Sequence, residues 1–406
     1  MAVYIAKQAT YDVQAIAETI RRGIKEVGVD LSGKRSAVIK VNIVQARGPE
    51  TGVVTHPAVA EAVIEVLEQA GVNNIKILEG PALGVDIHKA FKVSGYQDLS
   101  KRRRVELINA FETPRTKLHV DFGYEGLPNV YDDADLPRWH CGYMTVPSVC
   151  MESDLYISIP KLKTHNRASV TLSLKNQWGL LAFKERQDYH RVGLHEPIAY
   201  LAKGVRPDLI VVDGIVGLEG NGPLLGAPKK SELIVVGSDS VETDIVGTQL
   251  MGHDPKNVEH IVQAVGLGVG AWETDVRGLP VAEAAVQFDP APMHLKKNLN
   301  FYLWRNHRAC HLDDDAFAAA LKIAKRKPKY WFFFVKFGYY VLFKRIDVLR
   351  GRGMTMPDSR RGGKIIISGE CARELLNGYE EVPPNIVHIP GCPPDPEEII
   401  KAIIRM

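Results

Sequence analysis

The chain is poor in cysteine: five among 406 residues, at 141, 150, 310, 371 and 392, odd in number and widely spaced. That argues against a disulfide scaffold and for a reducing environment, so a cytoplasmic location is expected. An excess of one charge is also missing. Lysine and arginine number 51 against 48 aspartates and glutamates, a formal net charge of +3, which gives no case for nucleic acid as the main partner. The opening MAVYIAKQATYD has neither the basic nor the apolar region of a secretory signal. The apolar fraction of 45% with 24% charged residues is that of an ordinary globular protein with a large core.

Strand-like and helix-like runs alternate. Ser36–Val44 reads as a buried strand, His56–Gly71 as an amphipathic helix stopped by glycine, Ile75–Leu78 as a strand, Asp86–Val93 as a short helix and Val105–Ala110 as a strand. Further strands are expected at Asp154–Ile159, Leu209–Val212 and Glu232–Gly237. This order implies an α/β fold: a mostly parallel, doubly wound sheet with helices on both faces. The alternation lapses between 276 and 360 and returns as a C-terminal βαβα unit. The expected organisation is therefore a main α/β domain at 1–275, a helical, aromatic and basic insertion at 276–360, and a unit at 361–406 that either rejoins the main sheet or stands as a small lobe.

Four constellations could carry chemistry. In ISIPKLKTH, Lys161, Lys163 and His165 follow a strand. If extended backbone continues past Pro160, their i, i+2, i+4 spacing puts them on one face, suited to gripping a phosphate or carboxylate. Lys175 and Asn176 follow a further apolar–polar alternation, and Lys40 and His56 lie at the end of the first strand and the start of its helix. In DGIVGLEGNGPLLG, Asp213 ends an aliphatic strand and Glu219, Asn221 and Gly222 sit in a glycine-rich loop. Its carboxylates could bind a divalent metal or act as acid and base, or the loop is a tight turn. It is neither a Walker A loop nor a GxGxxG opening a helix. Asp239 in DSVE has a capping-box pattern, while Asp244 falls on the inward helix face, where a carboxylate needs a cation, donors or a metal. Cys371 and Cys392 each follow a strand and precede a helix; they are candidate ligands to a metal or iron–sulfur cluster, or two inert thiols.

One run stands apart. Tyr330–Phe343, YWFFFVKFGYYVLF, is bordered by Lys325, Arg326, Lys327 and Lys329 and by Lys344 and Arg345. Its 14 residues are too few to span a bilayer as a helix. It is either a core or oligomer-interface helix or a peripheral membrane contact.

The succession VVTHP, SIPKLKTH, TLSLKNQWG, IVVDGIVGLEGNGPLLG and SDSVETDIVGTQLMG resembles the domain-of-unknown-function 362 (DUF362) family over about Ile39–Gly270. Many members carry a ferredoxin-like CxxCxxCxxxCP run, which implies electron transfer. This chain has no such run; the aromatic, basic segment near 320–350 stands in the corresponding place. The tail IPGCPP is similar to an element of the cluster-binding small subunit of respiratory hydrogenases, which would make Cys392 a cluster ligand. The expected function is an enzyme or enzyme-like protein binding an anionic small molecule, with His165, Lys163, Asp213 and Glu219 in catalytic roles. Lys40, His56, Lys161, Lys175, Asn176, Asn221 and Gly222 would bind the ligand, and Asp244, Cys371 and Cys392 would take a metal. The alternatives are an iron–sulfur or metal-binding redox carrier using Cys371 and Cys392, and a membrane-peripheral interaction protein using Tyr330–Phe343.

Overall fold

A computed structural model of the chain describes all residues except 83, 121–142, 193, 292–293, 299, 306–318, 322, 351–355, 357–362, 378, 380, 392–393 and 406. The chain divides into two compact units: Met1–Tyr189 with His195–Ala291, and His190–Leu194 with Pro292–Met406.

The first unit is built on a large, mostly parallel sheet. Its strands run, in spatial order, Asp275–Gly278 (β12), Ala2–Lys7 (β1), Ala227–Gly237 (β11), Leu209–Glu219 (β10), Leu155–Ser158 (β7), Ser36–Lys40 (β2), Asn74–Glu79 (β3) and Glu106–Asn109 (β4). Off this path, Lys161–His165 (β8) pairs with β10, and Ser169–Val170 (β9) pairs with β8. Arg115–His119 (β5) and Tyr143–Pro147 (β6) form a separate antiparallel pair. Pairing is parallel from β10 through β7, β2, β3 and β4, and antiparallel where β11 meets β10 and β1. Parallel strands are covered on both faces, so β2 and β7 read as aliphatic runs and are almost wholly buried.

The helices start where their caps dictate. Asp12 accepts from the Ala15 N–H at 2.8 Å to begin Val13–Val27, and Gly28, at φ 75°, ends it in the left-handed conformation. His56 caps Pro57–Gln69 through Nδ1, with proline at the first helical position. These two helices pack on each other, and the core beneath them takes in Ile39, Ile77, Ile157 and Val211.

Some segments of the first unit depart from expectation. The strand Ala2–Lys7 was not foreseen, although Val3 and Ile5 are fully buried. The alternation around Leu172 and Leu174 forms a short helix, Leu172–Asn176, rather than continuing as strand.

The second unit holds a five-stranded sheet: His294–Asn298 (β13), Phe301–Arg305 (β14), Ile346–Arg350 (β15), Lys364–Ser368 (β16) and Ile386–Ile389 (β17). The C-terminal strands thus pair with strands from within 276–360 in a sheet of their own, and do not rejoin the large one. Between β14 and β15 runs the helix Trp331–Phe343, which packs beside Pro396–Arg405. The segment after β16, expected as an α-helix, is the 3-10 helix Glu370–Leu376. No helix among the described residues is long and apolar enough to cross a membrane.

Candidate functional site

Open α/β sheets bind ligands at the carboxyl ends of strands, where the connections leave in opposite directions. Here that point lies between β2 and β7. The chain steps from β2 to β3 to β4 on one side and from β7 to β10 on the other, and Lys40 at the end of β2 pairs in register with Ser158 at the end of β7. The backbone does continue extended past Pro160, as β8, which brings Lys161 into register with Asp213 of β10. Basic residues gather at this edge.

Lys161 and Asp213, both fully buried, form an ion pair at 2.7 Å. Asp213 also accepts from the Tyr11 hydroxyl at 3.1 Å and from the His56 backbone N–H at 2.8 Å. Tyr11 stacks on the His56 ring at 3.7 Å, and its hydroxyl accepts from the Lys161 ammonium at 3.2 Å and from the Val216 N–H at 3.2 Å. Burial pushes the His56 imidazole down to about 4, so the ring is neutral, as its cap to the Ala58 N–H requires.

A second pair lies beside it. Lys40 meets Glu79 at 2.7 Å and also donates to the Val41 carbonyl at 2.6 Å. Glu79 accepts in addition from the backbone N–H groups of Ile43 and Gly80. Asn176 bridges the strand ends: its amide donates to Ser158 Oγ at 3.0 Å, and its carbonyl accepts from Asn42 Nδ2 at 3.0 Å. Burial lowers the Lys40 and Lys161 ammonium groups, while Glu79 and Asp213 respectively pull them back.

Two other lysines are not balanced in this way. Lys163 is fully buried and donates to Asn42 Oδ1 at 2.6 Å and to the Val53 carbonyl at 2.8 Å, with no carboxylate within ion-pair distance among the described residues. Burial, then the charge of Lys161, holds it well below the usual lysine range. Half-buried Lys175 has neither hydrogen bond nor ion pair among the described residues; its ammonium lies over the Trp178 ring at 5.3 Å. Burial, followed by the charges of Arg186, Lys40 and Arg167, brings it to about 7. Arg186 is buried and donates to the Gly80 and Pro81 carbonyls, but its Nε has no acceptor among the described residues. The edge therefore holds five buried or half-buried basic side chains (Lys40, Lys161, Lys163, Lys175, Arg186) against two carboxylates. Charging all five together is unfavourable unless an anion joins them.

The remaining predicted residues lie elsewhere or are occupied. His165 accepts through Nδ1 from the Arg167 and Ala168 N–H groups at 3.0 and 3.1 Å, closing its own turn. Glu219 pairs with Lys229 at 3.0 Å and accepts from the Asp289 N–H at 3.0 Å. Asn221 accepts from Asn166 at 3.4 Å, and Gly222 packs so tightly on the Thr164 carbonyl that a Cβ would sit 2.0 Å from it. The glycine-rich loop is thus the turn of the β10–β11 hairpin. Asp239 caps its helix. Asp244 has no lysine within ion-pair distance among the described residues: fully buried, it accepts from the Ser173 and Leu174 N–H groups at 2.7 and 2.9 Å, at the start of Leu172–Asn176, and burial raises its carboxyl well above the usual range. No group of three or more His, Cys, Asp or Glu among the described residues is arranged to hold a metal. Cys371 lies in the 3-10 helix after β16, and Cys392 lies outside the described residues. A shallow cleft lined by Lys76, Glu106, Asn109, Ser148 and Glu152, among others, shares no residue with the basic edge.

The model of the domain of unknown function DUF362 matches residues 37–249, more than half of the chain. The chain belongs to the DUF362 family. All five cations of the edge in this DUF362 protein lie inside the matched span. A thylakoid-associated protein of Synechocystis sp. is 24% identical over 279 residues, covering 66% of this chain and 79% of that protein. Among solved structures, the lactate racemase apoprotein of Thermoanaerobacterium thermosaccharolyticum matches with a TM-score of 0.26 and 15% identity, over 57% of this chain and 54% of that one.

Sequence reasoning missed Tyr11, Glu79 and Arg186. Glu79 had a usable signal, since it ends the aliphatic strand of ILEG directly before a glycine, in the place that Lys40 occupies on β2. Tyr11 and Arg186 have none, because their roles depend on partners more than 100 residues away.

Proposed function

We propose that this DUF362 protein is an enzyme or enzyme-like protein that binds a phosphate- or carboxylate-bearing small molecule at the basic edge between β2 and β7. The observation that supports this reading is the buried Arg186 Nε, which has no acceptor among the described residues, close to Lys175 and Lys163, which have no carboxylate within ion-pair distance among them. In this reading Arg186 and Lys163 supply charge and hydrogen bonds to the anion. Lys175, brought to about 7 by its surroundings, gives or takes a proton near neutral pH. Lys161, Asp213 and Tyr11 act as a rigid buried frame that holds β8 and β10 together, in place of the catalytic role that sequence reasoning gave Asp213.

Calorimetry with inorganic phosphate as the probe tests this. Wild type should bind with heat and gain thermal stability. Lys175→Met and Arg186→Met should each weaken binding by about tenfold or more, as loss of a charge-assisted bond does, while remaining folded. Equal phosphate affinity in wild type and both variants would refute the site.

A further inference from the structure

The helix Trp331–Phe343 has two apolar faces. Its inward face places Phe333 and Tyr340 in the core of the second unit, with Phe337 packed against them. Its outward face carries Trp331, Phe332, Val335, Tyr339, Leu342 and Phe343, all exposed; Phe343 is 72% exposed, and Trp331 and Leu342 are each 59% exposed. At 100° per residue these six share one face, so they form a patch rather than scattered singles. An apolar stripe this long is more than a soluble monomer leaves open.

The surroundings are basic. Lys325, Arg326, Lys329, Lys336 and Lys344 have no carboxylate within ion-pair distance among the described residues. The carboxylates close by are already engaged: Glu397 with Lys327 at 2.6 Å and the Tyr330 hydroxyl at 2.7 Å, and Asp347 with Arg345 at 2.7 Å. Lys336 stands, half-buried, at the border of the outward face, a position from which a lysine can lay its stem on apolar surface and keep its ammonium in water.

We propose that this face docks in the plane of an anionic lipid bilayer surface. Thirteen helical residues extend about 20 Å, less than the hydrocarbon thickness, so the helix lies on the membrane and does not cross it. Tryptophan and tyrosine on this face suit the headgroup region, and the cations around it meet acidic headgroups. A second copy of the chain fits less well. A two-fold contact through this face would bring two basic rims together, whereas an acidic lipid surface complements one. The inference is independent of the anion site in the first unit.

The test is co-sedimentation of the full chain with vesicles of phosphatidylcholine, with and without phosphatidylglycerol. Binding is expected only with phosphatidylglycerol, and it should weaken with added salt. The double variant W331E/F343E, altered only at exposed positions, should lose about tenfold or more in affinity with an unchanged circular dichroism spectrum and melting temperature. Neutralising Lys325, Arg326 and Lys329 to glutamine should weaken binding and flatten its salt dependence. Absence of sedimentation with anionic vesicles would overturn the proposal. So would equal binding by W331E/F343E, or a dimer in sedimentation velocity that this variant abolishes while vesicle binding stays the same.

Discussion

At the scale of single residues, the molecule is unusual in how many lysines it buries and how differently it treats them. Removing one partner of a fully buried ion pair leaves the other charge stranded, so Asp213→Asn should cost about 3–5 kcal/mol in urea unfolding. Lys161→Met combined with Asp213→Leu should recover most of that loss, because apolar replacements leave no charge behind. A double variant no more stable than Asp213→Asn would mean that the carboxylate acts chiefly through Tyr11 and His56. Lys175 makes a separate prediction. Its folded value of about 7 lies below the unfolded 10.5, so between those values the unfolded chain binds the extra proton. The penalty for burying this cation is therefore fully present below pH 7 and relieved as pH rises toward 10.5. Lys175→Met should be more stable than wild type at and below neutrality, with the difference closing at alkaline pH. Under the proposed function an anion raises Lys175 again, so phosphate affinity should fall as pH climbs through 7, with proton uptake on binding measurable in buffers of different ionisation heat.

At the scale of elements, the strands of the parallel sheet were legible because burial on both faces leaves an aliphatic run, as in SAVIK and LYIS. The extended backbone past Pro160 was legible too, from the alternation of KLKTH. The fate of TLSLKN was not. Its alternation suits a strand, yet Asp244, some 70 residues later, accepts from the Ser173 and Leu174 N–H groups and makes it a helix. That helix sets Lys175 and Asn176 in place. Asp244→Ala should therefore cost about 1–2 kcal/mol, as loss of a helix cap does, and weaken phosphate binding, with Asp244→Asn intermediate because it keeps one acceptor. Unchanged phosphate affinity in Asp244→Ala would show that Lys175 does not depend on this cap. Gly179 is a second such control point: a Cβ there would lie 2.8 Å from Lys40 Cε and 2.9 Å from its Nζ, so a side chain at this position competes with the Lys40–Glu79 pair for space. The glycine itself was visible in the sequence; the ammonium it accommodates, 139 positions earlier, was not.

At the scale of the whole molecule, the family motifs all fall in the first unit, and the second has a sheet and a core of its own. The sequence could not show that the aromatic helix and the C-terminal strands share that core, because the strands are short and the pairing of Phe301–Arg305 with Ile346–Arg350 spans the aromatic segment. The separation can be tested through Phe333, which is fully buried among Tyr340, Ile346 and Ile403. Phe333→Ala should remove about 3–5 kcal/mol from the unit that contains it, since the cavity adds to the lost burial. Hydrogen exchange followed peptide by peptide should then quicken in β14 through β17 and remain slow in β2, β3 and β7, and phosphate should still protect the segment from Lys161 to Asn176. If exchange instead quickened in both sheets, the two cores would unfold as one cooperative body, and the basic edge would owe its rigidity to a core that begins more than 100 residues downstream of it.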